Sequence, residues 1–153
     1  MERIASFTVD HTVLVPGLYL SRRDGTTVTF DLRFKKPNTG DLLSNAELHS
    51  VEHVIATLLR NSPQKDAVIY FGPMGCQTGF YFLFDGEKLS NANAVRLLQR
   101  VFTAAAKFDG AMPGASAREC GNYRNLSAQA AKYEAQRYLE ALDARPVTFC
   151  YEE

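Results

Sequence analysis

The segment from Ser44 to Pro63 constrains the fold most, because it carries the signals of both ends of an amphipathic helix. Ser44 is followed three residues later by Glu47, which is the spacing of a capping box. Asn61-Ser62-Pro63 is typical of a helix end. Between these signals, apolar residues recur at helical spacing and form a stripe of Leu48, Val51, Ile55 and Leu58/Leu59. We therefore predict a helix that begins just after Ser44 and ends near Asn61.

Two histidines and a carboxylate lie in the middle of this predicted helix. His49 and His53 are related as i and i+4, and Glu52 is i+3 from His49. All three side chains therefore share one face of the helix. Two imidazoles at this spacing can bind one divalent metal ion, and the carboxylate beside it is free to move protons. The same five-residue pattern also occurs on ordinary surface helices, so from the motif alone metal binding is a hypothesis.

A catalytic metal site usually has three protein ligands and one open position, so a third ligand is needed. His11, the remaining histidine, and Cys120 are both candidates, because imidazole and thiolate bind zinc and iron well. A cysteine before Gly121 is also typical of a small buried residue. The residues alone leave the choice between these candidates open.

Cys76 and Arg33 are further candidates for a site. Cys76 lies in the turn Gly72-Pro73-Met74-Gly75-Cys76-Gln77-Thr78, where flanking glycines leave space around it. A thiolate near a metal ion is a usable base, although a cysteine at a strand end is usually a packing residue. Arg33 is on the polar face of an alternating strand, where a solvated charge is the simpler interpretation.

The remaining segments predict an α+β fold, with an antiparallel sheet packed against helices in a single domain that spans residues 1–153. Asp24-Gly25 is a strong hairpin signal between two apolar runs. We predict strands at Val13–Leu20, Thr27–Phe34, Ala67–Phe71 and Gly79–Phe84, helices at Asn91–Phe108 after Ser90 and at Ser127–Leu142, and an edge strand at Pro146–Tyr151.

The composition excludes several classes of protein. Seventeen basic and seventeen acidic residues cancel, which argues against a nucleic-acid or anionic-membrane surface. The sequence contains no apolar run near the roughly 20 residues that span a bilayer, and its N-terminus lacks a signal core. The three cysteines are odd in number and far apart, which favours free thiols over a disulfide framework. We expect a cytoplasmic protein.

Five motifs in this order resemble the S-ribosylhomocysteine lyase family, the bacterial enzymes that make the precursor of autoinducer-2. The resemblance extends over nearly the whole chain. The motifs are Ser-Phe-Thr-Val-Asp-His (6–11), Phe-Asp-Leu-Arg-Phe (30–34) with Pro37-Asn38, His-Ser-Val-Glu-His (49–53), Pro-Met-Gly-Cys-Gln-Thr-Gly-Phe-Tyr (73–81) and Glu-Cys-Gly-Asn (119–122).

The resemblance implies a role for each candidate residue. It implies a metal site of His49, His53 and Cys120 that holds Fe²⁺, for which Zn²⁺ or Co²⁺ can substitute. Glu52 and Cys76 would be the acid/base pair, and Ser6, His11 and Arg33 would contact the substrate. Family members are homodimers whose active sites lie at the interface and use both chains.

The implied reaction cleaves S-ribosylhomocysteine into homocysteine and 4,5-dihydroxy-2,3-pentanedione, with no redox step and no organic cofactor. The carbon–sulfur bond at C5 is not activated in an aldose, so the carbonyl must first move from C1 to C2 and then to C3. Each move passes through an enediolate whose charge a metal ion can stabilise. The C4 proton is then acidic, and β-elimination expels homocysteine thiolate.

Three positions depart from the family pattern. Family members often have a histidine shortly after the Cys-Gly pair, but residues 122–127, including Leu126, contain none here. Tyr70 occupies a position where we expect aspartate, and Lys35 one that is cysteine in some members. The first two departures concern substrate contacts and site electrostatics rather than the reaction type.

Two other classes remain as alternatives. Inverted zinc metallopeptidases also use H-x-x-E-H on a helix, with the glutamate activating water, but they leave Cys76 without a role. A structural metal protein would hold an ion without turnover, and such sites usually have four protein ligands.

Overall fold

The computed structural model describes residues 1–151, which form a four-stranded antiparallel sheet and three α-helices. The strands are β1 (Gly17–Asp24), β2 (Thr27–Arg33), β3 (Val68–Pro73) and β4 (Gly79–Asp85). The helices are α1 (Asn45–Arg60), α2 (Asn91–Ala105) and α3 (Ala128–Asp143). The sheet has the order β1-β2-β4-β3, so the predicted α+β class is confirmed.

The β1–β2 hairpin turns where the sequence predicts it. Asp24 pairs with Thr27, and Gly25 adopts a φ of 59°, a left-handed conformation that glycine adopts without strain. The first strand begins at Gly17 rather than at Val13. Pro16 precedes it, and proline has no N–H with which to extend a strand ladder.

The two central strands supply the aromatic core on one face of the sheet. Phe30 pairs with Phe82 across β2 and β4, and Phe80 and Phe84 flank the pair in β4. All four rings are completely buried. The opposite face of the same strands carries Asp31, Arg33 and Tyr81, because side chains alternate along a strand.

The helix that carries the two histidines starts as predicted. The Ser44 Oγ accepts a hydrogen bond from the Glu47 N–H at 3.2 Å, and the Glu47 carboxylate accepts one from the Ser44 N–H at 2.7 Å. Both halves of the capping box are therefore present. The buried apolar residues of α1 are Leu48, Val51, Val54, Ile55 and Leu59.

Helix α2 starts at its predicted serine cap, Ser90. Helix α3 starts at Ala128, one residue after the predicted Ser127, which acts as its N-cap. α2 ends three residues before the predicted Phe108 because its last turn tightens. The Phe108 N–H donates to the Ala105 carbonyl, an i to i−3 bond typical of a fraying helix end. No helix in residues 1–151 is both long and apolar enough to cross a bilayer.

The predicted edge strand at Pro146–Tyr151 is wrong. These residues form bends and irregular backbone instead of a strand. Phe149 has a φ of 61°, which interrupts any extended run, and Pro146 cannot donate to a ladder. The segment instead packs its aromatic rings on β1 and β2, with Phe149 5.8 Å from Phe30 and Tyr151 5.0 Å from Tyr19.

Candidate metal centre and thiol pocket

Helix α1 presents His49 and His53 side by side. Their rings meet edge to face, with centroids 4.5 Å apart and planes at 88°. Ser50, between them in the motif, is fully buried and accepts a hydrogen bond from the Ser127 N–H at 2.8 Å. Ser50 thereby ties the start of α3 to the middle of α1 and fixes the helix that carries the histidines.

One nitrogen of each imidazole is already held by the protein. The His49 Nδ1 lies 2.6 Å from the Asn125 Oδ1, and the His53 Nδ1 lies 2.8 Å from the Pro113 carbonyl oxygen. Both partners are acceptors, so each Nδ1 carries the proton and each Nε2 keeps its lone pair. This is the arrangement that oriented metal-binding histidines use.

Cys120 completes a three-ligand cluster with these histidines. Its Sγ lies 3.3 Å from the His49 Nε2, and it accepts a hydrogen bond from the Asn122 N–H at 3.4 Å. One donor atom from each of the three residues lies within 4.8 Å of the others, and all three residues are half-buried. Two imidazoles and one thiolate suit Zn²⁺, Fe²⁺ or Co²⁺, and three ligands leave a coordination position for a substrate.

Glu52 lies on α1 between the two histidines in sequence and is half-buried. Its position one turn from His49 puts the carboxylate beside the ligand cluster on the same helix. His11, the other candidate for third ligand, lies elsewhere, and its Nδ1 lies 2.9 Å from the Val9 carbonyl oxygen.

Cys76 lies in the loop between β3 and β4 and is exposed. Its Sγ is 3.1 Å from the Thr78 Oγ1 and 3.8 Å from the Arg33 Nη1. The same Arg33 nitrogen donates to the Thr78 Oγ1 at 2.7 Å. A guanidinium and a hydroxyl therefore converge on the Cys76 sulfur.

Arg33 is buried, which corrects the interpretation of a solvated charge on the polar face. Its guanidinium pairs with the Asp31 carboxylate at 2.6 Å, and the two side chains are only 3% and 2% exposed. Burial acts to lower the pKa of Arg33, but the charge and hydrogen bonds of Asp31 outweigh this effect and raise it. Arg33 is thus a permanent cation beside Cys76.

A cavity of about 590 Å³ opens over the Cys76 thiol. His11 and Phe7 reach it from the N-terminal segment, and Thr78 lines it together with Cys76. Ser6 lines a different cavity, of about 290 Å³, beside Tyr81 on the outer face of the sheet. The remaining residues around the thiol cavity are Pro37, Asn38, Gly40 and Leu42.

The structure describes two groups of site residues, each with its own surroundings. The metal-ligand cluster is backed by Asn125 and Pro113, whereas the thiol cavity is lined by the N-terminal segment and the loop at residues 37–42. Within residues 1–151, the lining of the thiol cavity includes none of the three metal-ligand residues.

Sequence reasoning did not identify Asp31, Thr78 and Asn125 as site residues. Asp31 and Thr78 lie within the motifs around Arg33 and Cys76, and alternation along β2 puts Asp31 on the same face as Arg33. That alternation was a usable signal. Asn125 lies 76 residues from His49, and no local pattern connects the two.

Comparisons with known proteins agree with this geometry. The family model described as S-ribosylhomocysteinase (LuxS) matches residues 4–147. Proteins named S-ribosylhomocysteine lyase are 49% identical in Desulfotalea psychrophila, over 94% of this chain and 93% of the relative. The corresponding relative in Clostridium beijerinckii is 47% identical over 91% of this chain and 90% of its own length. In Borreliella burgdorferi the identity is 44%, over 94% of both chains. The chain therefore belongs to the S-ribosylhomocysteinase (LuxS) family.

Proposed function

We propose that this chain is a metal-dependent lyase that splits S-ribosylhomocysteine into homocysteine and 4,5-dihydroxy-2,3-pentanedione, the precursor of autoinducer-2. The observation that carries the proposal is the cluster of His49, His53 and Cys120, whose donor atoms lie within 4.8 Å of one another. The names of the relatives supply the substrate class. The product would serve signalling between cells, the recovery of homocysteine, or both.

His49, His53 and Cys120 would hold the metal ion, for which we propose Fe²⁺ with Zn²⁺ or Co²⁺ as substitutes. The residues fit this group, because both Nδ1 atoms are engaged by acceptors and both Nε2 atoms are left for coordination. A bound divalent ion supplies Lewis-acid stabilisation of the negative charge that develops on the sugar oxygens.

Cys76 is the residue that we propose moves protons between the sugar carbons. The reaction must carry the carbonyl from C1 to C3. Each move takes a proton from the carbon that becomes the carbonyl and delivers it to the carbon that was the carbonyl. The Arg33 Nη1 at 3.8 Å and the Thr78 hydroxyl at 3.1 Å hold the Cys76 sulfur at the cavity, where it would accept such a proton.

Glu52 would serve the hydroxyl oxygens and the elimination step. Once the carbonyl is at C3, loss of the C4 proton forms a carbon–carbon double bond as the C5–sulfur electron pair leaves with homocysteine. The departing thiolate then takes a proton. A half-buried carboxylate one helical turn from His49 is suitably placed to exchange protons with oxygens near the cluster.

His11, Arg33 and Ser6 are the proposed substrate contacts. The cavity of about 590 Å³ over Cys76 lies within the usual range for small-molecule sites. His11 reaches that cavity directly, and Arg33 reaches it through its contact with the Cys76 thiol. Ser6 is next to Phe7, which lines the cavity, and would reach the substrate from the adjoining surface.

We propose a homodimer in which the metal cluster of one subunit faces the thiol pocket of its partner. Exposed apolar side chains surround the thiol cavity, with Phe7 64% and Leu42 47% exposed. Ile4, at 55% exposed, extends this surface along the N-terminal segment. Several exposed apolar side chains in one region are typical of a protein interface.

The chain would act as one domain, since the family model spans residues 4–147. We propose the cytoplasm as its compartment, which the three unpaired cysteines support.

Release of homocysteine from S-ribosylhomocysteine, followed with a thiol reagent, tests the reaction. Cys76→Ala and Glu52→Gln should each retain the metal and lose thiol release, because they remove proton carriers and no ligand. Cys120→Ala should lose the metal. Cys150→Ala is the matched control, since Cys150 belongs to neither residue group and should change neither property. Full metal content in Cys120→Ala would refute the ligand assignment.

The same assay separates the lyase from its two rivals. A metallopeptidase would hydrolyse peptides after Cys76→Ala, because that mechanism does not use the thiol. A structural metal protein would show an ion with no exchangeable water and no substrate turnover.

Mixing two inactive variants tests the shared site. In a heterodimer of Cys76→Ala with Glu52→Gln, one site combines the intact Glu52 side of one subunit with the intact Cys76 side of the other. Random exchange of equal amounts should restore about a quarter of the wild-type activity, because half of the dimers are mixed and each has one complete site. Sites contained within single chains would give no recovery.

A further inference from the structure

The C-terminal segment reaches the charged pair behind the thiol pocket. After α3 ends at Asp143, the chain returns to β1, where the Tyr151 ring stacks on the Tyr19 ring at 5.0 Å and 11°. The Tyr151 hydroxyl donates to the Asp31 Oδ2 at 2.9 Å. Tyr151 lies after the last of the family motifs in the sequence. Its hydroxyl nevertheless contacts the Asp31 carboxylate, which is only 2% exposed.

Asp31 connects this hydroxyl to Arg33. The Asp31 Oδ2 also accepts from the Arg33 Nη2 at 2.6 Å, and the Asp31 Oδ1 accepts from the Arg33 Nε at 3.2 Å. Both carboxylate oxygens therefore accept hydrogen bonds, and they bind the guanidinium along its Nε and Nη2 edge. The remaining terminal nitrogen of Arg33, Nη1, points to Thr78 and Cys76.

Tyr151 is suited to act as a permanent donor. Burial raises its pKa, and the neighbouring Asp31 charge raises it further, so the hydroxyl stays protonated across the neutral range. Ser21 makes an additional hydrogen bond to the same hydroxyl. Stacking on Tyr19 and two polar partners hold the ring in one orientation.

We propose that Tyr151 is a positioning residue for Cys76, acting through Asp31 and Arg33. Its hydroxyl holds the Asp31 carboxylate, which in turn keeps the Arg33 Nη1 directed at Thr78 and the thiol. This role rests on the proposed function of Cys76 as the proton carrier. The C-terminal segment is then part of the active-site scaffold.

Loss of the hydroxyl should slow the reaction of Cys76 with an alkylating agent for two reasons. The Asp31 carboxylate would lose a donor and present more of its negative charge to the pocket. Asp31 would also lose one of the hydrogen bonds that hold its carboxylate in place against the Arg33 guanidinium. The other titratable groups around the thiol are His11 in the cavity lining and Tyr81 on β4, and the substitution leaves both unchanged.

Alkylation of Cys76 by iodoacetamide as a function of pH tests the proposal in the metal-loaded enzyme. Tyr151→Phe removes only the hydroxyl and retains the ring on Tyr19. Trypsin releases Cys76 in the peptide 66–88, away from Cys120 and Cys150, so mass spectrometry reports its rate alone. We expect alkylation of Cys76 at pH 7 to be about threefold slower in Tyr151→Phe than in the wild type.

Tyr133→Phe is the matched control, because Tyr133 is exposed on α3 and its hydroxyl accepts only an exposed contact from Arg137 at 3.1 Å. It should leave the profile unchanged. Tyr151→Leu removes the ring as well and should slow alkylation at least as much as Tyr151→Phe. Thermal unfolding of each variant shows that the comparison is made on folded protein.

A Tyr151→Phe profile that coincides with that of the wild type overturns the proposal. So does an equal shift in Tyr133→Phe, because the effect would then not depend on Asp31. Failure of the proposed function gives a different result. In that case Cys76→Ala would retain homocysteine release, while the alkylation profile of Tyr151→Phe would still report the contact between Asp31 and Arg33.

Discussion

Asn125 is the residue whose removal should weaken metal binding most without removing a ligand. Its Oδ1 lies 2.6 Å from the His49 Nδ1, so it fixes both the tautomer and the ring angle of that ligand. Loss of such a partner typically reduces metal affinity by about 10- to 100-fold. At about 1.4 kcal/mol for each factor of ten, Asn125→Ala should cost about 1.4 to 2.8 kcal/mol of binding free energy. The cost stays within this range because His53 keeps its own acceptor, the Pro113 carbonyl.

Titration of the metal-free protein with Co²⁺ in competition with a chelator measures this affinity. The absorption of the cobalt–thiolate bond reports binding at Cys120 directly. Asn125→Asp keeps an acceptor oxygen and should recover most of the affinity. Asn122→Ala is the matched control in the same loop, because Asn122 contacts Cys120 through its backbone N–H. Wild-type affinity in Asn125→Ala would refute the argument that this hydrogen bond orients His49.

Three further predictions concern stability. Ser44→Ala removes half of the capping box and should lower the free energy of unfolding by about 1 kcal/mol in a urea titration, with an unchanged slope. Gly79→Ala places a Cβ 2.3 Å from the Leu32 carbonyl oxygen and should lower the free energy of unfolding by about 1–3 kcal/mol or more. Gly75→Ala is its control, because a Cβ there has nothing within 4 Å, and it should be nearly neutral in the same measurement. Burial raises the pKa of Glu134, so its ionisation in the folded state opposes folding. Below the ordinary pKa of a glutamate carboxyl, the wild type has its highest stability relative to Glu134→Gln. It loses this stability as the pH rises through the raised pKa of Glu134 in the folded protein. Glu134→Gln should therefore unfold at a higher temperature than the wild type at pH 7, and equal pH profiles for both proteins would contradict this.

Local signals predicted most of the fold. Serine caps located the starts of α1 and α2, and Asp24-Gly25 located the first hairpin, because each signal acts within a few residues. The C-terminal segment was predicted wrongly, since its alternating apolar residues resemble a strand. The left-handed conformation of Phe149 depends on packing against distant residues, which the local sequence does not encode.

The site was predictable only where its residues are close in sequence or occur in a family motif. Helical spacing put His49, Glu52 and His53 on one face, and the resemblance selected Cys120 over His11, which agrees with the observed cluster. The partners of these residues come from far along the chain. Asn125 reaches His49 across 76 residues, and Tyr151 reaches Asp31 across 120. No periodicity or spacing relates residues at such separations.

The buried pair of Asp31 and Arg33 illustrates why a distant hydroxyl matters for the thiol. An unpaired guanidinium that is only 3% exposed would be strongly destabilising, so Arg33 needs a carboxylate. That carboxylate also opposes the effect of Arg33 on Cys76, because the charges of the pair largely cancel at a distance. The geometry limits this loss. Asp31 accepts hydrogen bonds from the Nε and Nη2 edge, while Nη1 is 3.8 Å from the Cys76 Sγ, so the thiol contacts a guanidinium nitrogen that is not bonded to the anion. A donor on Asp31 reduces the opposing charge further, and Tyr151 is the residue that supplies one.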